Sequence, residues 1–293
     1  MDILQLSAFL AVAHNKSFSA AAENLYLTQP AISKRIAQLE SQLGTRLFDR
    51  IGKAVSLTEA GETLLPRATT ILRELQDAER AVRDLSGEIS GALSLATSHH
   101  IGLHRLPAVL REFTNLYPAV SLDIAFMDSE LANEAVLHGR IELGIITLPP
   151  QTPPQQLETH VVWPDPLVVM VAQDHPLSDS ESVELSVLAQ HAAVLPGQGT
   201  YTGQILSRLF SIQELDLQIN MTTNYLETLR MLASIGLGWS VLPESMLTGD
   251  LKKLDIEGIE LQRQLGYIYH RERTLSNAAQ AFIALLEEFK ATT

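Results

Sequence analysis

Three side chains near residue 30 have the chemistry to read DNA. Ser33 and Lys34 fall on one side of a predicted helix, with Pro30, Ala37 and Ser41, and apolar residues fall on the other, because successive helical residues turn by about 100°. Gln29 lies at the amino end of this helix, where its side chain is free to project forward. Gln pairs with adenine, Lys pairs with guanine, and Ser bonds to a base or a phosphate. The neighbouring residues on this side are small, which lets a helix enter the major groove. The spacing therefore predicts a recognition helix.

Further candidate DNA contacts flank these three positions. Two strand-like runs surround Gly52, which predicts a hairpin with Arg50 and Lys53 near its tip. A basic hairpin beside a recognition helix is typical of a wing that touches phosphates or the minor groove. A small helical bundle with a solvated hairpin is the alternative. The predicted DNA-binding residues are Thr28, Gln29, Pro30, Ser33, Lys34, Arg35, Arg50 and Lys53.

The residue patterns of several catalytic sites are absent from the sequence. It has no cysteine, no Gly-x-Ser-x-Gly and no His-Glu-x-x-His, which excludes thiol chemistry and argues against hydrolase and zinc-protease sites. His100 and His104 are four residues apart and could face one ion, but no third ligand is evident nearby. We therefore expect no enzyme activity, no cofactor and no metal site.

Three helices are expected to position the recognition residues. Apolar spacing predicts the first helix, which ends near residues 14–16. Ser17 or Ser19 can cap the second helix, and Thr28 can cap the third. Two helices joined by a short turn at residues 26–27 make a helix-turn-helix. The buried stripe of the third helix is predicted to be Ile32, Ile36, Leu39 and Leu43.

A long helix is predicted to follow, with Thr58 as its cap. Its apolar residues alternate at spacings of four and three, which predicts a dimerisation seam, although a helix packed on its own domain is the alternative. Pro66 predicts a kink or a disturbed first turn, and residues 86–91 predict a hinge. The seam residues are Leu64, Ala68, Ile71, Leu75, Ala78, Val82 and Leu85.

Strands and helices alternate after residue 90, which predicts an α/β fold with parallel βαβ units. A first set has strands at 92–97, 120–126 and 142–147, and helices at 106–116 and 130–138. A second set follows a proline-rich loop, with strands at 167–172, 192–195, 217–221 and 239–242, and helices at 200–210 and 225–235. A strand at 266–269 and a helix at 276–289 are expected to return to the first lobe.

The first 61 residues resemble LysR-type transcriptional regulators. The resemblance is carried by the runs Phe18–Leu25, Thr28–Ser33 and Leu57–Gly61, together with Ile36, Leu39, Glu40, Leu43, Gly44, Leu47, Phe48 and Arg50. It implies an N-terminal winged helix-turn-helix, a long linker helix and a two-lobed effector domain similar to periplasmic binding proteins. It also implies a tetramer, built as a dimer of dimers, that reads a partly palindromic operator in double-stranded DNA.

The resemblance also implies where an effector would bind. Such lobes hold small ligands in the cleft between them, at the carboxyl ends of strands and the amino termini of helices. Each predicted contact has an ordinary helix cap as its alternative, and the two histidines favour an anionic effector. The predicted effector contacts are Ser98, His99, His100, Thr147, Thr200, Thr222 and Asn224.

Charge is unevenly distributed along the 293 residues. The net charge is −13, yet residues 1–58 carry six basic and four acidic side chains, whereas residues 91–293 carry 11 basic and 23 acidic ones. Only residues 1–58, the head of the protein, are therefore expected to bind a polyanion such as DNA. The sequence begins without a signal-peptide pattern and has no membrane-length apolar stretch, so we expect a cytoplasmic protein.

These observations predict a DNA-binding transcriptional regulator controlled by a small effector. A solute-binding protein or enzyme with an oligomerisation head is the rival interpretation. The predicted domains are a winged helix-turn-helix at 1–58, a linker helix with hinge at 59–90 and an effector domain at 91–293. Within the last, lobe I spans about 91–163 plus 266–293 and lobe II about 164–265.

Overall fold

The computed structural model describes residues 1–51, 54–84 and 87–292. The predicted contacts Lys53 and Leu85 lie outside these residues, and Arg50 is described only by its backbone. The chain forms two compact units, residues 1–86 with 138–140 and residues 87–137 with 141–293. None of the described helices is both long and apolar enough to cross a lipid bilayer.

Most of the first unit is a helical head with a two-stranded wing. Its core contains Phe9, Ile36 and Leu39, and the rings of Phe9 and Phe18 lie 5.3 and 5.8 Å from that of Phe48 at the base of the wing. The elements are α1 (Ile3–Asn15), α2 (Phe18–Asn24), α3 (Gln29–Leu43), β1 (Phe48–Ile51), β2 (Ala54–Leu57) and α4 (Glu59–Asp84).

Two of the three predicted helix caps in the head form a side-chain hydrogen bond. The Ser17 hydroxyl accepts a hydrogen bond from Ala20 N at 3.3 Å, and the Thr58 hydroxyl accepts one from Gly61 N at 3.1 Å. Thr28 is the N-cap residue of α3, as predicted, but its side chain makes no capping hydrogen bond. Its hydroxyl stays on the exposed surface of the head.

Two contacts fix the wing against the helices. The Glu40 carboxylate of α3 accepts hydrogen bonds from Leu47 N at 2.8 Å and Phe48 N at 3.3 Å. Gly61 of α4 packs so closely that a Cβ there would lie 2.3 Å from the Leu47 carbonyl oxygen. The wing is therefore held at a set position beside α3 and α4.

The long helix α4 runs without a break through Pro66. Ala68 is fully buried in the core of the head, and Leu64 and Leu72 pack against the same core. The prediction that Ala68 faces a partner helix is wrong, because this chain's own helices already cover it. Farther along α4, Ile71 is 41% exposed and Val82 is 71% exposed, so these two apolar side chains are uncovered.

The second unit is built around one continuous mixed sheet. Its first elements are β3 (Gly91–Thr97), α5 (His99–His104), α6 (Leu106–Leu116), β4 (Val120–Phe126), α7 (Ser129–Leu137), β5 (Leu143–Thr147) and β6 (Leu157–Ala172). The next are β7 (Ser182–Val183), α8 (Leu185–Leu188), β8 (Ala193–Leu195), α9 (Tyr201–Ile212), β9 (Ile219–Thr222), α10 (Leu226–Ser234) and β10 (Ser240–Pro243). A 3-10 turn (Glu244–Met246), β11 (Leu251–Ile256), β12 (Leu261–His270) and α11 (Asn277–Thr292) complete the unit. The strand order in the sheet is β4-β3-β5-β12-β6-β11-β7, and β10 also pairs with β6.

The two lobes share the long antiparallel strands β6 and β12, which pair from Leu157↔His270 to Leu167↔Leu261. We define lobe I as β3–β5, α5–α7, α11 and the adjoining ends of β6 and β12, and lobe II as the rest. Separate apolar cores around Phe113 and Phe282 in lobe I and around Phe210 and Trp239 in lobe II stabilise them. The predicted two-lobed α/β architecture is confirmed, but β6 and β12 are longer than expected, and the sequence patterns missed β11.

Candidate functional site

The outward face of α3 presents the predicted DNA-binding residues. Gln29, Pro30 and Lys34 are exposed, and Ser33 and Arg35 are half-buried. On the opposite side Ile32, Ile36 and Leu39 are fully buried, as predicted, whereas Leu43 is exposed. Leu43 is the last residue of α3, and Gly44 follows it in the left-handed conformation.

A hydrogen bond joins Gln29 and Ser33 on this face. Gln29 Nε2 donates a hydrogen bond to Ser33 Oγ at 3.0 Å, across one turn of the helix. This bond holds the Gln29 amide beside the Ser33 hydroxyl in the DNA-free protein. Neither Lys34 nor Arg35 forms an ion pair with another described residue. Cations of this kind bind phosphates or bases.

Tyr26 is a candidate DNA contact that the sequence patterns did not single out. It lies in the turn between α2 and α3, with φ of 54° and a side chain that is 97% exposed. A positive φ is uncommon for an aromatic residue. Leu27 N donates to Ala22 O at 2.8 Å and closes this turn. The sequence signal that could have identified Tyr26 is an aromatic residue in the turn of the predicted helix-turn-helix.

A cavity of about 60 Å³ lies between the two lobes of the second unit. Six of the seven predicted effector contacts line it. Ser98, His99, His100 and Thr147 come from lobe I, and Thr200 and Asn224 from lobe II. The carboxyl ends of β3 and β5 and the start of α9 converge here, as parallel strands and their following helices do in α/β folds.

Thr222 is not among the residues that line this cavity, so its prediction is wrong. It is the exposed last residue of β9, where it pairs with Leu195 of β8. Eight further lining residues were not among the predicted contacts. These are Asp128, Ser129, Glu130, Pro196, Tyr201, Thr202, Leu226 and Arg263. Asp128, Ser129 and Glu130 follow the carboxyl end of β4, just as Ser98 follows the carboxyl end of β3. The same sequence signal could therefore have identified them.

Hydrogen bonds join the lobes across the cavity. Asn224 Nδ2 donates to Asp128 Oδ2 at 2.6 Å, and Asn224 Oδ1 accepts from Gly197 N at 3.1 Å. The Glu130 carboxylate accepts from the backbone N–H of Tyr201, the first residue of α9. Burial raises the pKa of Glu130 above its ordinary value, against the opposing effect of this hydrogen bond.

The start of α9 is tightly built. Thr200 caps it by accepting from Gly203 N at 3.0 Å and donates to Gly197 O at 2.7 Å. Gly203 is required here, because a Cβ would lie 2.2 Å from the Gly197 carbonyl oxygen. Thr200 is therefore a structural cap whose side chain also faces the cavity.

Arg263, which lines the cavity, belongs to a buried ion pair. Arg263 Nε donates to Asp165 Oδ2 at 2.7 Å, and Arg263 Nη1 donates to Thr202 Oγ1 at 2.9 Å. Arg105 Nη2 lies 3.6 Å from Asp165 Oδ1. Asp165 and Arg263 are both buried. The Arg263 charge is therefore balanced within the protein.

The histidines at the cavity differ in environment. His99 lies between the rings of Phe126 and Tyr225, at 5.5 and 5.0 Å. His100 is buried, and desolvation, reinforced by the nearby Arg263 charge, lowers its pKa to about 4. His100 is therefore neutral at physiological pH, and it contributes no positive charge to the cavity.

Comparison with known proteins assigns the family. The sequence model of the bacterial regulatory helix-turn-helix protein, lysR family, matches residues 3–62, and that of the LysR substrate binding domain matches residues 86–291. The chain belongs to the LysR family of transcriptional regulators. It is thus a DNA-binding regulator with an effector domain, as the sequence predicted, and its family is one of regulators and not of enzymes.

Individual relatives agree with this assignment. The RuBisCO operon transcriptional regulator of Allochromatium vinosum is 31% identical to this LysR-family regulator, over 96% of this chain and 94% of the relative. An uncharacterized HTH-type transcriptional regulator of Azotobacter vinelandii is 64% identical over 107 residues, 36% of this chain and 74% of the relative. The crystal structure of full-length CbnR complexed with its target DNA has a TM-score of 0.68 at 24% identity, covering 98% of this chain and 99% of that one, and so shares the fold.

Proposed function

We propose that this LysR-family regulator binds a small effector in the cavity between its lobes and thereby changes how its heads engage DNA. The observation that carries the proposal is the convergence of six predicted contacts, from both lobes, on one cavity. An effector that touches both lobes favours the lobe arrangement in which all contacts are made. Such a difference in affinity between arrangements is what a switch requires.

The proposed effector carries an anionic group. A carboxylate, that of Glu130, already accepts a hydrogen bond from Tyr201 N at the amino terminus of α9. The dipole of this 12-residue helix favours negative charge at that end. Since Arg263 is neutralised by Asp165, the helix terminus is the feature that would attract an anion, and the effector would displace Glu130.

The cavity sets a limit on how the effector enters. At about 60 Å³ it is much smaller than the roughly 300–1,000 Å³ of ordinary ligand sites. The Asn224–Asp128 and Tyr201–Glu130 hydrogen bonds close the lobes over it. We infer that these bonds open to admit the effector, so that binding and lobe movement are coupled.

On the DNA side, we propose that the recognition residues of α3 read bases while Arg50 and Lys53 of the wing touch the backbone or minor groove. Two heads paired through α4, in a dimer of dimers, would read a partly palindromic operator in the cytoplasm. The proposed division is a head at 1–58, a linker at 59–90 and an effector domain at 91–293, with lobe I about 91–163 plus 266–293 and lobe II about 164–265.

Calorimetry of the full-length protein with a library of small carboxylic acids tests the effector site. We expect an acid that binds wild type and binds Ser98→Ala and Asn224→Ala about three- to tenfold more weakly, the effect of one lost hydrogen bond. Thr222→Ala is the matched control, because Thr222 lies outside the cavity. An acid that binds the two cavity variants as tightly as wild type would place the effector elsewhere.

A further inference from the structure

Three metal-ligating side chains from the two lobes meet beside the cavity. His100 and His104 lie on α5 of lobe I, and Glu227 lies on α10 of lobe II. His104 Nε2 is 2.9 Å and His100 Nδ1 is 4.0 Å from Glu227 Oε1. One donor atom from each side chain lies within 4.8 Å of the others. The sequence had lacked a third ligand, and folding supplies it from a residue far along the chain.

His100 is the second observation that points to a ligand. Its side chain is only 5% exposed, yet neither ring nitrogen has a hydrogen-bond partner among the described residues. A buried polar group without a partner is costly. Its ring lies 4.8 Å from that of His104, and its Nδ1 faces the Glu227 carboxylate. A bound cation would satisfy one of these nitrogens.

We propose that His100, His104 and Glu227 bind a divalent transition-metal ion, with Zn²⁺ as the best fit, that joins lobe I to lobe II. Two imidazoles and one carboxylate are a known donor set for zinc, with a fourth position left for water or a bound ligand. Metal–ligand bonds of about 2.0–2.1 Å place tetrahedral donors about 3.4 Å apart. The two separations to Glu227 Oε1 are 2.9 and 4.0 Å, and all three donors lie within 4.8 Å of one another, so side-chain rotations that draw them together would complete the site.

Local charge is compatible with a cation at this position. Arg263 lies near His100, but its guanidinium is paired with the buried Asp165 carboxylate. Glu227 contributes a negative charge at the site itself. The ion would add a strong bond to the weaker polar contacts that already cross between the lobes.

Zinc binding by the metal-free full-length protein tests this proposal. Chelator-treated protein is dialysed against Zn²⁺, and bound zinc is measured by mass spectrometry, with X-ray absorption to identify the donors. We expect one zinc per chain, held by two imidazoles and a carboxylate oxygen. His104→Gln and Glu227→Gln should bind zinc more than about 100-fold more weakly, since even changes in outer-shell partners cost 10–100-fold.

His14→Gln is the matched control, because His14 is an exposed histidine of the head. Zinc should also raise the thermal unfolding temperature of wild type and of the control, but not that of the two ligand variants. Failure to bind stoichiometric zinc would overturn the proposal, as would equal binding by wild type and His104→Gln. Neither result would affect the proposed effector site, whose test uses other residues and a different ligand.

Discussion

The Glu130 carboxylate of lobe I accepts a hydrogen bond from the backbone N–H of Tyr201, where α9 of lobe II begins. One lobe thus supplies a hydrogen-bond acceptor to the first residue of a helix of the other. The same side chain, whose pKa is raised by burial, lines the cavity. We therefore expect the charge of Glu130 to compete with that of an anion that enters the cavity.

Replacing Glu130 by Gln is expected to change how stability depends on pH. Burial raises the pKa of Glu130 above 4.5, so the stability it contributes is greatest below pH 4.5 and is lost as the pH rises through the folded-state pKa. Glu130→Gln keeps an acceptor for Tyr201 N and removes the charge. Its stability relative to wild type should therefore increase from pH 4.5 towards pH 7, as measured by urea unfolding.

The exposed Glu112 of α6 provides the control, since Glu112→Gln should give no such trend. Glu130→Gln should also bind the anionic effector more tightly than wild type, because no internal carboxylate competes. If wild type gains stability over Glu130→Gln as the pH rises, the desolvation argument fails.

The buried pair of Asp165 and Arg263 is expected to dominate the stability of the lobe junction. Asp165→Asn leaves the buried Arg263 charge without its 2.7 Å partner and should cost about 3–5 kcal/mol of unfolding free energy. The double variant with Arg263→Met should lose less than the sum of the single losses. Chemical denaturation gives all three values.

Asp179→Asn removes an exposed partner of Lys252 and should leave stability unchanged. Additive losses at Asp165 and Arg263 would show that the two side chains do not stabilise the fold as a pair.

The uncovered apolar side chains of α4 are expected to hold the dimer. Ile71→Glu or Val82→Glu places a charge on the exposed part of the seam and should raise the dimer dissociation constant at least tenfold, because burying an unpaired charge is costly. Analytical ultracentrifugation measures it. Glu79→Gln, on an exposed position of the same helix, serves as the control. An unchanged dissociation constant in both seam variants would remove α4 from the interface.

Tyr26 is expected to contact the DNA backbone. Its exposed position in the turn before α3 suits a phenol that donates to a phosphate, and such contacts carry no sequence information. Tyr26→Phe should therefore weaken binding about two- to tenfold on every DNA sequence alike, as measured by fluorescence anisotropy. Tyr117→Phe in the second unit should have no effect. A loss confined to particular sequences would instead indicate a base contact.

The sequence was informative where function depends on neighbouring residues. The helical period of α3 predicted that Ile32 and Ile36 are buried and that Lys34 is outside, because a helix fixes those directions by geometry alone. The resemblance to the LysR family predicted Ser98, Thr147 and Asn224 at the cavity, and these residues lie at strand and helix ends, which meet at one edge of an α/β sheet.

Features that depend on distant residues were not predictable in this way. Glu227 reaches His104 across 123 positions of the chain, and Asp165 reaches Arg263 across 98. No local pattern marks either partner. For a similar reason, the predicted dimerisation seam included Ala68, which belongs to the core of the head. Nothing in the heptad spacing shows that the head itself covers this residue.

The outward face of α3 is expected to read DNA sequence. The direct measurement is the affinity of the full-length protein for its own upstream DNA and for single-base variants of that DNA, by fluorescence anisotropy. Gln29→Ala and Ser33→Ala should each lose about 1–3 kcal/mol of binding and discriminate less at one base position. Gln42→Ala, on an exposed position on the other side of the same helix, should behave as wild type. Unchanged affinity and unchanged base preference in both Gln29→Ala and Ser33→Ala would contradict the account.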